Sequence, residues 1–249
     1  MNASSKSVLR VWLLLAVPIA LMLIGVVGSA MRGDYKTMPI VGGALIFAAL
    51  FFWYSRARLR RMFKDPTPDR IIAYYHASAR RVKNAGGSAA YLSAIAAAAY
   101  GQFDRARAEL DAVNWDDLPP VYKGYRLHAM AIIALLERRD FAGALELLEE
   151  AREASAAAAS APTASTTAAF AIYEAIIEAA SGAGEDAAPR LEEMANRRRG
   201  LISAFSAWAL ALHFRRIGEA DRAVPFQELV RELTPNCKPL NDFSTAPVG

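Results

Sequence analysis

The chain has 249 residues and a formal net charge of +4, enough for a membrane anchor and one soluble domain of about 180 residues. Residues 1–55 carry +3, residues 56–83 carry +7 (nine basic against two acidic), and residues 84–249 carry −6. An acidic domain excludes nucleic acid as the main partner, because phosphate contacts need a basic face. Cys237 is the only cysteine, which excludes an intramolecular disulfide and a cysteine-based metal site.

From Val11 to Met31 the chain runs 21 residues without a charge, which as a helix reaches about 31 Å and spans hydrocarbon. A second apolar run covers residues 37–55. Gly28-Ser29-Ala30 after a basic start also resembles a signal-peptide cleavage site, but the second run weighs against cleavage. We expect a two-helix transmembrane hairpin, spans 11–31 and 37–55, joined by the short loop from Arg32 to Met38. Neither span contains an ionisable side chain, so the hairpin reads as an anchor and not as a transport path.

The rings of Trp53 and Tyr54 then meet a run of charge: Arg56, Arg58, Arg60, Arg61 and Lys64. Aromatic rings followed by basic residues mark a membrane boundary and hold the following domain on the cytoplasmic side. Both termini are therefore expected in the cytoplasm. Residues 56–83 form a basic juxtamembrane segment. Asp65-Pro66-Thr67-Pro68-Asp69 breaks the chain, and Thr67 is placed to cap a helix over about 68–83 with Pro68 at its first position. That helix could lie on anionic headgroups or form the first layer of the soluble domain, and its narrow apolar face favours the second. Residues 84–88 (NAGGS) read as a break. They are no phosphate-binding loop, since no strand precedes them.

From Ser88 onward apolar residues recur at helical spacing, with no alternation of period two. A turn-like pattern comes four times: Gly101-x-Phe103-x-x-Ala106, Arg139-x-Phe141-x-x-Ala144, Gly182-x-Gly184-x-x-Ala187 and Gly218-x-Ala220-x-x-Ala223. The alanines are 38, 43 and 36 residues apart. Each unit reads as a helical hairpin in which a small alanine lets two helices close. Two insertions explain the long spacings: residues 114–120 (NWDDLPP), with Pro119 and Pro120 opening the next helix, and residues 155–166, a Ser/Ala segment expected to be a mobile loop or frayed end. Residues 236–249 show no pattern and read as a disordered tail.

This arrangement resembles the tetratricopeptide repeat (TPR), a helix–turn–helix unit of about 34 residues that stacks into a solenoid. The last copy is the nearest, with Leu210-Ala211-x-x-Phe214, Ala223 and Pro235. Arg139, Gly184 and Gln227 depart from the pattern. The resemblance covers about 88–235 and implies an all-α fold: the hairpin anchor followed by a TPR-like solenoid of about four helical hairpins over 84–235. It also implies a partner groove along the first helix of each unit, lined by Tyr91, Ile95, Arg126, Ala129, Ile133, Ile172, Ile176, Phe205, Trp208, Leu212 and Arg215. The same residues could equally be core between repeats. The set lacks the Lys and Asn clamp of chaperone-binding relatives and would suit an amphipathic partner helix.

Tyr74, Tyr75, His76, Tyr122, Tyr125 and His128 invite catalytic speculation, but such rings at helical spacing are more often packed residues with a satisfied polar tip. We expect no enzyme, no cofactor, no metal site and no small-molecule substrate. The expected function is that of a scaffold binding a protein partner at the cytoplasmic face of a membrane; the architecture looks like that of bacterial inner-membrane TPR proteins. The alternative is an accessory subunit of a membrane transport or envelope-synthesis complex, acting through the hairpin.

Overall fold

The structure is a computed structural model that describes residues 61–80, 85–157, 164–182, 186–197 and 200–244. The chain divides at Arg58 into two compact units, and the described residues all belong to the second. The expected spans 11–31 and 37–55, and with them Trp53, Tyr54, Arg56, Arg58 and Arg60, lie outside the described residues. Among the described residues no helix is long and apolar enough to cross a membrane.

The described part is all-helical, with no strand. Helix α1 (Asp69–Ala79) precedes four pairs: α2 (Gly86–Ala99) with α3 (Phe103–Asp111), α4 (Val121–Arg138) with α5 (Phe141–Ala156), α6 (Ala164–Ser181) with α7 (Ala188–Asn196), and α8 (Gly200–Arg216) with α9 (Ala220–Leu233). A 3-10 turn at Trp115–Asp117 and a short helix α10 (Lys238–Asn241) complete it.

The four turns of the repeat show why the pairs form. Gly101, Arg139, Gly182 and Gly218 all have positive φ, at +79°, +57°, +95° and +83°. A left-handed residue just past a helix ends it and lets the chain reverse, which glycine does at least cost. Two residues after Gly101, Arg139 and Gly218 the next helix begins, at Phe103, Phe141 and Ala220, whereas α7 begins six residues after Gly182, at Ala188. Ala106, Ala144 and Ala223 are fully buried, so the second helix closes on the first where no larger side chain intervenes. Along α5 the buried positions are Ala144, Leu148, Ala151 and Ser155, one stripe at helical period. At Gly124 on α4 an added Cβ would stand 2.7 Å from the Ala151 carbonyl oxygen, so glycine sets the close approach of α4 and α5.

The first helices behave differently. In α8 the twelve residues from Ser203 to Phe214 are all buried, and in α2 ten of fourteen are buried. Helices apolar on every side belong inside a core. Helix α2 packs on α4 and α6 on α8, while α5 bridges to α6.

Several expectations are corrected. Helix α1 begins at Asp69 with Pro68 as its N-cap and no side-chain cap bond, so Thr67 is not the cap. Ile71 and Ile72 are buried and α1 packs on α2, which makes it a layer of this domain. The break read at 84–88 falls partly inside α2. Gly87 sits where a Cβ would come within 2.7 Å of both Leu118 and Tyr122, so it is there for packing. Ser155 belongs to α5 and Ala164 already to α6, which shortens the loop expected over 155–166. In the 114–120 insertion Trp115 is buried, its indole N–H donating to the Leu110 carbonyl at 2.7 Å.

The largest correction is the C-terminal segment, where residues 236–244 are ordered. Cys237, Leu240 and Phe243 are buried, and α10 packs against α2, α4, α8 and α9. In an open solenoid each repeat meets only its neighbours. Here a strap joins hairpins one, two and four. Asn236 extends it to the start of the domain, donating from Nδ2 to the carbonyls of Lys64 (2.8 Å) and Asp65 (3.2 Å). Tyr100 binds the same stretch, its hydroxyl donating to the Asp65 carbonyl at 2.9 Å.

Candidate functional site

The face expected to be a partner groove is mostly core. Ile95, Ala129, Ile133, Ile176, Phe205, Trp208 and Leu212 are buried. Tyr91 and Ile172 are half-buried, and only Arg126 and Arg215 are exposed. The reason is physical: the apolar sides of the first helices face one another and the strap, so the space a groove would need is already filled. Of the boundary residues, Arg61 and Lys64 are described and exposed.

The strap's seat is built around Arg139, which stands where the other turns have glycine. The residue accepts a left-handed backbone and turns its side chain inward, where it is 5% exposed. Its guanidinium lies 4.6 Å from the centre of the Trp208 ring, a cation–π contact strengthened by desolvation. One nitrogen, Nη2, donates to the carbonyls of Pro239 (3.1 Å) and Asp242 (2.9 Å) and stands 3.5 Å from the Asp242 carboxylate. The Trp208 indole N–H donates to the same Asp242 carbonyl at 3.2 Å. That carbonyl is thus held by two donors from α8 and from the end of α4. The remaining nitrogens, Nε and Nη1, are buried and have no hydrogen-bond partner among the described residues.

Electrostatics follow from this burial. Desolvation lowers the Arg139 pKa, and the Asp242 carboxylate opposes the shift. For Asp242, burial acts to raise the pKa, but hydrogen bonds from Ser244 and the charge of Arg139 outweigh it and hold the value down. Burial pushes the Cys237 thiol up to about 12, so it is an inert thiol under ordinary conditions. Leu240 and Phe243 are the apolar anchors of the strap, with Arg231 stacked 5.6 Å over Phe243. Pro239 lies against the turn at Gly101.

A second cluster joins the first helices. Tyr91 and His128 are bonded through the tyrosine hydroxyl and Nδ1 at 2.7 Å. His128 meets Tyr173 (4.4 Å) and Phe170 (5.4 Å) edge-on, and Tyr91 stacks on Tyr125. Burial lowers the His128 pKa to about 3, so the ring is neutral at physiological pH. Burial also raises Tyr91 and Tyr173. A neutral imidazole sealed among rings packs and does not exchange protons with a substrate. His76 lies elsewhere, 2.8 Å from the carboxylate of Glu109 at the surface. Tyr74 is exposed, and Tyr75 is packed against the core.

A shallow trough of about 280 Å³ runs between α3, α4 and α5. Leu110, Met130 and Ile133 line it, with Arg126 and Asp111, whose charged groups stand 3.9 Å apart. Two of the expected groove residues, Arg126 and Ile133, therefore line an opening. Among the described residues no group of three or more His, Cys, Asp or Glu is placed to hold a metal ion.

Arg139, Asp242 and Asn236 were not singled out for any binding role from the sequence. The signal that could have found the first is a long basic side chain in place of a turn glycine.

These features define an array of four helical hairpins whose first helices form the core and whose C-terminal segment is strapped across them. Comparison with protein-family models, with curated proteins and with solved structures finds no match for this chain.

Proposed function

We propose that the chain is a membrane-anchored, TPR-like adaptor that presents its helical repeats to a protein partner at the cytoplasmic face of a membrane. The observation that carries this reading is the recurrence of four hairpins, each turning on a left-handed residue and three of them closed on a fully buried alanine, Ala106, Ala144 or Ala223. Stacked helical hairpins of this kind serve as extended binding surfaces. The uncharged runs 11–31 and 37–55 and the basic flank through Arg61 and Lys64 support the anchor. Filling of the expected groove favours a second reading, an accessory subunit that acts through its transmembrane hairpin.

Capture of the tagged full-length protein from gently solubilised membranes separates the two. The full chain is needed, since a fragment ending at residue 235 would strip Leu240 and Phe243 from the core. An adaptor keeps a near-stoichiometric partner when residues 1–55 are replaced by an unrelated two-span anchor; a subunit acting through its spans loses it. Release of the protein from membranes by alkaline carbonate, without detergent, would refute the anchor. Sidedness needs a reporter other than buried Cys237: Arg190→Cys on exposed α7 in a Cys237→Ser background should react with an impermeant maleimide only after permeabilisation.

A further inference from the structure

Helix α1 uses one side for the fold and leaves the other open. Ile71 and Ile72 are buried, and Tyr75 packs against the core. The opposite side carries Arg70, Ala73, Tyr74 and Ala77, spaced i, i+3, i+4 and i+7. Arg80 follows just past the helix end, and all five are exposed. No acidic residue of α1 stands on that side. On the flank, Asp69 pairs with Arg105 of α3 at 2.6 Å, and His76 meets Glu109 of α3 at 2.8 Å. Asp65 stands 3.5 Å from Arg70. Tyr74 is 41% exposed, with its ring edge-on to Tyr75 at 5.9 Å. Basic groups around an amphipathic ring suit the headgroup layer of a membrane, where the ring sits at the boundary and the charges stay wet.

Charge and chain length say what covers this face. Residues 56–83 carry +7, whereas residues 84–249 carry −6. An anionic leaflet attracts the first and repels the second, so the domain meets it with α1 foremost. The core also starts close to the uncharged runs. Met62 and Phe63 are buried, and the carbonyls of Met62 and Asp65 accept from the Tyr100 hydroxyl at 3.2 and 2.9 Å. Met62 is seven residues past Ser55, where the second run ends, and an extended chain of that length reaches about 25 Å. On the anchor reading a tether that short keeps the domain beside the leaflet.

We propose that the outer face of α1 docks on anionic phospholipid headgroups, so that the repeat array stands on the membrane in one orientation. Arg70 and Arg80 pair with lipid phosphates, Tyr74 enters the headgroup layer, and the exposed Arg61 and Lys64 add to the attraction. The inference rests on the anchor reading and names the surface and the lipid chemistry that orient the domain.

Ala77→Cys gives the full-length chain an exposed thiol in the middle of this face. Cys237 is buried and does not compete for label, so wild type serves as the blank. The labelled chain is placed in nanodiscs of phosphatidylcholine, with or without one-third phosphatidylglycerol, each holding a trace of headgroup-spin-labelled lipid. The dye at position 77 should be quenched in the anionic discs and much less in the neutral ones. Raising the salt from 0.1 M to 1 M should reverse this, since the screening length falls from about 10 Å to about 3 Å. A dye introduced by Arg190→Cys on α7 should not respond to lipid charge. Arg70→Gln together with Arg80→Gln should weaken the docked state about thirtyfold, or about fivefold for each charge. Both positions are exposed, and far-UV circular dichroism checks that the helices are kept.

Quenching at position 77 that is equal in the two discs, or that survives 1 M salt, overturns the proposal, because headgroup charge does not then hold the face. Equal quenching on α7 overturns it as well, since the domain has no fixed orientation. So does an unquenched dye combined with a captured protein that the double variant loses; the face then belongs to an acidic protein. A chain that enters the discs, read by size exclusion, without quenching at position 77 loses this inference alone. A chain that does not enter them refutes the anchor reading and this inference with it.

Discussion

Helices α8 and α7 lie side by side in sequence and in space, yet they teach opposite lessons. In α7 the buried positions are Leu191 and Ala195, one stripe with polar residues around it. In α8 every residue from Ser203 to Phe214 is buried. A striped helix declares which side faces the core, and its outer side is plainly solvent. A helix apolar all round declares only that it is inside. It cannot say which side meets its hairpin partner, which meets the next repeat and which meets the strap.

The sharpest way to break this comparison is to delete one side chain from each helix. Trp208→Ala should cost about 3–5 kcal/mol, as large buried aromatics do, with little room for the surroundings to collapse. It also removes the ring beneath Arg139 and one donor to Asp242. Leu191→Ala, in the thin outer layer, should cost about 2–3 kcal/mol, at the low end for buried leucine. Urea midpoints with unchanged slopes give both values. If the two losses came out equal, the distinction between inner and outer helices would be one of exposure only.

A smaller effect tests the inner layer by pH. The folded-state pKa of His128 is depressed to about 3 from 6.5, so the unfolded chain binds the proton more tightly. Stability from this group is complete above about pH 6.5 and is lost as pH falls towards 3. Between pH 7.5 and 5.5 the loss is about 1.4 kcal/mol. His128→Leu should flatten that part of the urea-midpoint profile. A variant with the same slope as wild type would place the titrating group elsewhere.

The turns and the strap show how much of this could be read beforehand. The four hairpins were legible because Gly101, Gly182 and Gly218 punctuate the chain and because Ala106, Ala144 and Ala223 mark close helix contacts. Even the second turn, where Arg139 replaces glycine, fell in place through Phe141 and Ala144. The strap was not legible. Its buried set is three residues, Cys237, Leu240 and Phe243, too few to form a period, and its main bonds use backbone carbonyls, which carry no sequence signal. The groove failed for the reason α8 shows: Phe205, Trp208 and Leu212 belong to a helix with no polar side, so apolar character could not tell binding surface from core. Gly124 went unread and Gly87 was taken for part of a break, because a close approach of helices depends on the neighbour, here Ala151 for the first and Tyr122 for the second.

The smallest prediction concerns what a left-handed turn costs when nothing else is at stake. Gly218 has φ +83° and no heavy atom within 4 Å of where a Cβ would stand. Gly218→Ala therefore meets no clash, and its cost is the backbone strain of an L-residue in that region, about 1 kcal/mol. Gly218→Asn should cost less, since asparagine tolerates the left-handed region better. Arg139 already occupies such a turn at φ +57° and offsets that strain through Trp208 and the strap carbonyls. Arg139→Gly should then relieve the strain yet forfeit those contacts, and its net change in urea midpoint reads the balance. A gain in stability would mean that the buried guanidinium is a burden on the fold, kept there for something other than holding the strap.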